Sequence, residues 1–114
     1  MSDRLPVGLV LGSAIPPEQI RDLARLGEDQ GLGELWLAED YFFTGGIAGA
    51  TAALEVTSEI PVGTGIVSAM VRHPALLAME ISTICRMYRA GSCPGSGSAS
   101  PTGRARWAST PSRS

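Results

Sequence analysis

The chain has 114 residues, 44% of them hydrophobic, and a formal net charge of −2; that is enough for one small domain and too balanced for a nucleic-acid binder or an acidic disordered chain. The charge is unevenly spread: residues 1–80 hold all 11 acids and four arginines, while residues 81–114 hold five arginines and no acid. Two cysteines, Cys85 and Cys93, make no disulfide framework, no signal-peptide pattern opens the chain and no apolar run approaches the ~20 residues of a membrane span, so a reducing, cytoplasmic setting without a membrane partner is expected.

Leu5 to Leu11, LPVGLVL, is a short apolar run that predicts a first strand. Gly12, Ser13, Pro16 and Pro17 break it, and Glu18 sits in the first turn of the next element, where a negative charge suits the helix dipole. Ile20, Leu23, Ala24 and Gly27 share one face of a helix expected over Pro17 to Gln30, stopped by Gly31 and Gly33. Leu35 to Ala38 reads as a second strand ending in the acids Glu39 and Asp40. After the aromatics Tyr41, Phe42 and Phe43 and the pair Gly45 and Gly46, an alanine-rich helix is expected over Ile47 to Glu59.

The third unit runs from Ile60 to Tyr88. Val62, Ile66, Val67, Ala69 and Met70 form an apolar run broken only by small residues, as in a parallel strand covered on both faces. Pro74 stands where the first turn of a helix tolerates proline. Leu77, Ile81, Ile84 and Tyr88 then recur at intervals of four, three and four, giving that helix one apolar face. Strand and helix thus alternate three times with short links, which implies parallel pairing and right-handed crossovers. An open doubly wound sheet and a (β/α) barrel both fit; the stretch after the first strand lacks a GxGxxG fingerprint, which favours the barrel.

The opening VGLVLGS, the second-strand end ELWLAEDYF, the third strand PVGTGIVSA and the turn VRHPALLAMEISTI resemble the amino-terminal part of the luciferase-like monooxygenases, flavin- or deazaflavin-dependent oxidoreductases related to bacterial luciferase. The resemblance covers nearly all of residues 5–88, and its most specific piece is the RHP turn with its helix. It implies an α/β fold consisting of the amino-terminal three βα units of a (β/α)8 TIM barrel. The cofactor, FMN or a deazaflavin coenzyme, and a small-molecule substrate would meet at the carboxyl ends of the strands.

Site residues follow from the same resemblance. Glu39 and Asp40 fall where relatives place an acid and then a histidine near the flavin ring, so a carboxylate replaces the imidazole, and Asp40 is the candidate acid–base group. Gly65 and Ile66 match the family's third-strand bulge against the cofactor, and Ser68 follows on the same side. His73, the only histidine, precedes Pro74 and reads as an orienting or capping group rather than a catalyst. Arg72 is a lone candidate for a phosphate. No cluster has metal-ligand spacing, and no serine or cysteine lies in a nucleophile motif.

Beyond Tyr88 the chain changes character. Residues 89–114 contain no Leu, Ile, Val, Met or Phe and are dominated by Ser, Gly, Pro, Ala and Arg, the composition of a disordered tail. All nine basic residues are arginine, a mark of GC-rich coding DNA. In such DNA, loss of one C at the Tyr88/Arg89 junction turns serine codons beginning TC into Phe, Leu, Ile or Val codons. Back-translated and shifted, the tail reads PGRFLPGLGLGVPHWARQMGLHPKS, with an apolar residue in place of Ser92, Ser96, Ser98 and Ser100, and continues the family pattern. The expectation is therefore a partial barrel domain over 1–88 and an out-of-frame tail over 89–114. A full barrel takes eight strands and ~250 residues, so a truncated chain of three units is expected to be inactive alone. The alternative is a small interaction domain or a half-barrel needing a partner chain, with self-association through open strand edges.

Overall fold

Four strands lie side by side in one sheet. The computed structural model describes residues 4–67, 69–88 and 107–111. Its strands are β1 (Gly8–Leu11), β2 (Glu34–Leu37), β3 (Val62–Val67) and β4 (Trp107–Pro111), all parallel and in the order β1-β2-β3-β4. Between them lie helices α1 (Ile20–Asp29), α2 (Gly46–Val56) and α3 (Pro74–Met87). Strand order that never reverses, joined by crossovers of one hand, keeps every helix on one face of the sheet; a doubly wound sheet needs a reversal to cover both. The topology therefore decides for the barrel-type arrangement over the open sheet.

Register shows which residues make the core. Leu9, Leu35 and Val62 stand in one row and Leu11, Leu37 and Thr64 in the next, facing the helices. There Leu11, Leu35, Leu37 and Val62 join Ile20 and Ala24 of α1, Ala50, Ala53 and Leu54 of α2, and Ile84 of α3 in one cluster. The small residues of α2 matter because they let it sit close: a methyl added to Gly49 would lie 3.3 Å from the Leu37 side chain. The opposite row, Val10, Trp36 and Gly63, has no helix over it, and Val10 is 61% exposed.

Element boundaries follow local chemistry. The first strand was expected from Leu5, yet regular pairing begins at Gly8; Leu5 and Gly33 instead donate N–H bonds to the Gly31 and Val7 carbonyls at 2.8 and 2.9 Å. A Cβ on Gly33 would stand 2.3 Å from the Leu5 carbonyl oxygen, so only glycine fits there, and Gly31 turns the chain at φ +78. Pro16 and Pro17 force a 3-10 turn over Pro17–Gln19 before α1. The second helix was expected to reach Glu59 but stops at Val56, where Thr57 becomes extended and its hydroxyl bonds back to the Ala53 carbonyl at 2.7 Å. The apolar run of the third strand ends at Val67, and Ala69–Val71 coil into a 3-10 turn instead. On α3 the expected face is observed: Ile84 is buried, and Leu77, Ile81 and Tyr88 are half-buried.

Within the segment expected to be disordered, Trp107–Pro111 pairs along β3, filling an edge whose N–H and C=O groups otherwise lack partners; Pro111 closes this edge strand, a position where a missing N–H is tolerated. The rest of that segment, 89–106 and 112–114, lies outside the described residues. Cys85 is buried on α3.

At the amino ends of the strands a carboxylate ties the layers together. Glu28, near the end of α1, accepts backbone N–H bonds from Ser58, Glu59 and Ile60 at 2.8–3.0 Å, and Arg4 lies 3.6 Å from it. Burial alone would raise the Glu28 pKa; the three N–H groups and Arg4 outweigh it and hold the pKa below the ordinary value. The charged form therefore stabilises the fold above the unfolded-state pKa, and that stability is lost as pH falls through the lowered folded value. Glu28→Gln is expected to lower stability at neutral pH by about 2 kcal/mol and to flatten the acid limb of the stability profile, as measured by urea unfolding at a series of pH values. Gly33→Ala is expected to be at least as damaging in the same assay, since its methyl collides with backbone.

Candidate functional site

The carboxyl ends of the parallel strands carry the loops where barrel chemistry is built. Two residues past β1 stands Ser13, and past β2 stand Glu39 and Asp40. The Ser13 hydroxyl donates to Asp40 Oδ2 at 2.6 Å, joining the first and second loops. The backbone repeats that junction: Ala38 N–H bonds the Leu11 carbonyl at 3.1 Å and Thr44 N–H the Ser13 carbonyl at 3.5 Å. Asp40 is exposed, and the Ser13 hydroxyl holds one oxygen of its carboxylate.

Glu39, its neighbour, points elsewhere. Its carboxylate accepts from Gly46 N–H, the first residue of α2, at 2.7 Å, and both its oxygens receive the Arg72 guanidinium at 2.6 Å. This two-point pair is only 10% exposed on the Glu39 side and 21% on the Arg72 side. Hydrogen bonding to Glu39 raises the Arg72 pKa above its usual value, and this lone candidate for a phosphate is engaged by a carboxylate. Nothing in the spacing of residues 39 and 72 announces this pairing; it exists because the β2 end and the turn before α3 are neighbours in the sheet.

Gly65 stands on the uncovered face of β3, where a Cβ would approach the Trp36 ring at 3.1 Å. The pairing of β3 with β4 shifts register between Gly65 and Val67, so the chain is irregular at Ile66. Bare backbone beside a half-buried indole, with the Ser13 and Asp40 side chains at the neighbouring strand ends, suits a flat conjugated ring, and in that respect the residues fit a flavin-type cofactor. Thr64 carries a buried hydroxyl with no hydrogen-bond partner among the described residues, but it lies in the helix-facing row and does not serve this surface. Ser68 lies outside the described residues. His73 caps α3, its Nδ1 accepting from Ala75 N–H at 3.1 Å, the orienting role expected for it. Among the described residues no three His, Cys, Asp or Glu side chains gather as metal ligands.

Removing one partner of a mostly buried ion pair strands the other charge. Arg72→Met is expected to destabilise the protein by about 3 kcal/mol, and Glu39→Gln combined with it by less than the sum of the single changes, as read in a double-mutant cycle of urea unfolding.

Comparison with known proteins places this geometry in context. The 5,10-methylenetetrahydromethanopterin reductase of Methanopyrus kandleri is 32% identical over 68 residues, 60% of this chain and 20% of that protein. A solved structure of the coenzyme F420-dependent tetrahydromethanopterin reductase from Methanopyrus kandleri superposes with a TM-score of 0.64 at 29% identity, covering 72% of this chain and 24% of that one. The chain thus spans a fifth to a quarter of the length of these relatives. The family model of the luciferase-like monooxygenases matches residues 3–90, and with the three parallel βα units and the bulged third strand this establishes that the chain belongs to that family.

Proposed function

We propose that these residues form the amino-terminal wall of a deazaflavin-dependent oxidoreductase site, with coenzyme F420 rather than FMN as the cofactor. The observation that carries this reading is the bare surface of Gly65 and the Ile66 bulge against Trp36, opposite the joined Ser13 and Asp40 side chains. The F420 dependence of the relative in Methanopyrus kandleri supports the choice of cofactor. A bound deazaflavin supplies two-electron hydride transfer. Gly65 and Ile66 would hold its ring by backbone approach. Asp40 would accept or return a proton at the substrate, held in place by the Ser13 hydroxyl. Glu39 acts through Arg72 and the first turn of α2 to fix the strand end that carries Asp40, and is in that sense a positioning residue for the cofactor site.

By itself the chain presents one wall of such a pocket, and we expect it to turn nothing over. Assay of the purified chain with reduced F420 and a methylene-pterin substrate is expected to give no rate above background, and a protein-dependent rate would overturn this. In an absorbance titration with F420, Gly65→Val is expected to abolish whatever binding the wild-type chain shows, because its side chain would occupy the ring's place.

One observation favours a second reading, a half-barrel completed by another polypeptide. Val10 is 61% exposed on the uncovered face, and β1 is the terminal strand of the sheet. Concentration-dependent folding in size-exclusion chromatography would mark that case, and concentration-independent unfolding would exclude it. The family match ends at residue 90, next to the Tyr88/Arg89 junction, which supports out-of-frame translation of the remainder. Sequencing the gene through codon 88 is expected to reveal third bases that encode the shifted peptide.

A further inference from the structure

The outer edge of β3 is filled along its backbone by β4, a strand whose residues suit that place poorly. Parallel pairing sets Trp107 beside Val62, Ala108 beside Gly63, Ser109 beside Thr64 and Thr110 beside Gly65. By register, Trp107 and Ser109 join the two helix-facing rows, and Ser109 stands in the row that carries Leu11 and Leu37 on the earlier strands. Thr64, fully buried next to that place, has a hydroxyl with no hydrogen-bond partner among the described residues, and a buried hydroxyl in that state is costly. The ladder also slips between Gly65 and Val67 and ends on Pro111, which has no N–H to give. Nor does β4 belong to the matched family segment, which stops at residue 90. The edge takes it regardless, because an unpaired strand edge needs partners for its N–H and C=O groups whatever residues bring them.

An edge that accepts such a strand selects by main chain first, as in strand addition to a sheet. Side-chain selection is then set by β3. An apolar residue beside Val62 continues the core row, and a threonine beside Thr64 answers its hydroxyl across the strands. Serine carries a hydroxyl too, but lacks the branched carbon that favours a strand. Small residues beside Gly63 and Gly65 leave the face next to Trp36 clear. We propose that the outer edge of β3 is an acceptor site for an extended strand of another polypeptide, lying parallel with an apolar β-branched residue beside Val62 and a threonine beside Thr64, and that Trp107–Pro111 is a tethered occupant which this strand displaces. Tethering gives the internal strand a high effective concentration, so only a better-matched sequence takes its place. The proposal gives the half-barrel reading a docking edge and rests on that reading only in bringing the strand from a second chain; the cofactor assignment is not involved.

Fluorescence anisotropy of a tagged acetyl-Val-Ala-Thr-Ala-Val-amide peptide with the full chain tests this. Wild type is expected to bind it. Ala108→Pro combined with Ser109→Pro is expected to bind it about tenfold tighter, since one of any two neighbouring residues directs its N–H at β3 and proline removes that bond. A peptide with proline in its second and third places is expected to bind neither protein. One with valine in its third place is expected to bind several-fold more weakly, unless Thr64→Val is made as well. In wild type, saturating peptide is expected to speed amide hydrogen exchange over Trp107–Thr110 while Val62–Val67 stay protected, a readout that does not depend on how the proline variant folds. No binding, equal affinity for wild type and the proline variant, equal binding of the proline peptide, or unchanged exchange over Trp107–Thr110 would each overturn the proposal. Self-association of the proline variant in place of peptide binding would overturn it in favour of a second copy at that edge. Peptide binding with concentration-independent unfolding keeps the acceptor edge and removes only the half-barrel reading.

Discussion

The carboxylate of Glu39 is the point at which the strand-end face of this protein is assembled. It meets the second strand, the first turn of α2 and the turn before α3 at once, through Gly46 N–H and the Arg72 guanidinium. A charge that is nine-tenths buried is tolerable only when hydrogen bonds replace the water it has lost. Because Arg72 supplies two of them in a planar fork, the geometry is fixed in direction as well as distance. Asp40 inherits this rigidity as the next residue along, so a structural ion pair and a presented carboxylate are neighbours with different tasks.

Strand order explains why so much apolar surface is left on one side. Sheet and helices form two layers with a single core between them, and the row of Val10, Trp36 and Gly63 has no second covering. In a closed barrel that row faces other strands across the interior. The relatives are four to five times longer than the part this chain matches, so they possess the elements that face it. The same geometry leaves β3 open on its outer side, and the backbone of Trp107–Pro111 lies along it although its composition does not suggest a strand.

Much of the fold was legible in the residues, because apolar periodicity is set by the same alternation that builds the two layers. Leu35, Leu37, Val62 and Ile84 stand in the core where their spacing predicts, and His73 and Pro74 open α3 as expected. What the spacing does not carry is contact between distant segments. The pairing of Glu39 with Arg72 and of Ser13 with Asp40 arises from the parallel register, which places residues 13, 40 and 72 at one end of the sheet. Boundaries were missed for local reasons: Thr57 ends α2 early by turning its hydroxyl onto its own helix, and the third strand coils after Val67 despite continued apolar sequence. Phe42 gave no warning of its positive φ, since nothing in a Tyr-Phe-Phe run says that its middle member adopts a glycine conformation.

The Glu28 anchor sits at the far end of the strands from Asp40, and among the described residues the two carboxylates share no hydrogen-bond partner. The acid-sensitive anchor of the fold and the candidate site therefore occupy opposite rims of the sheet.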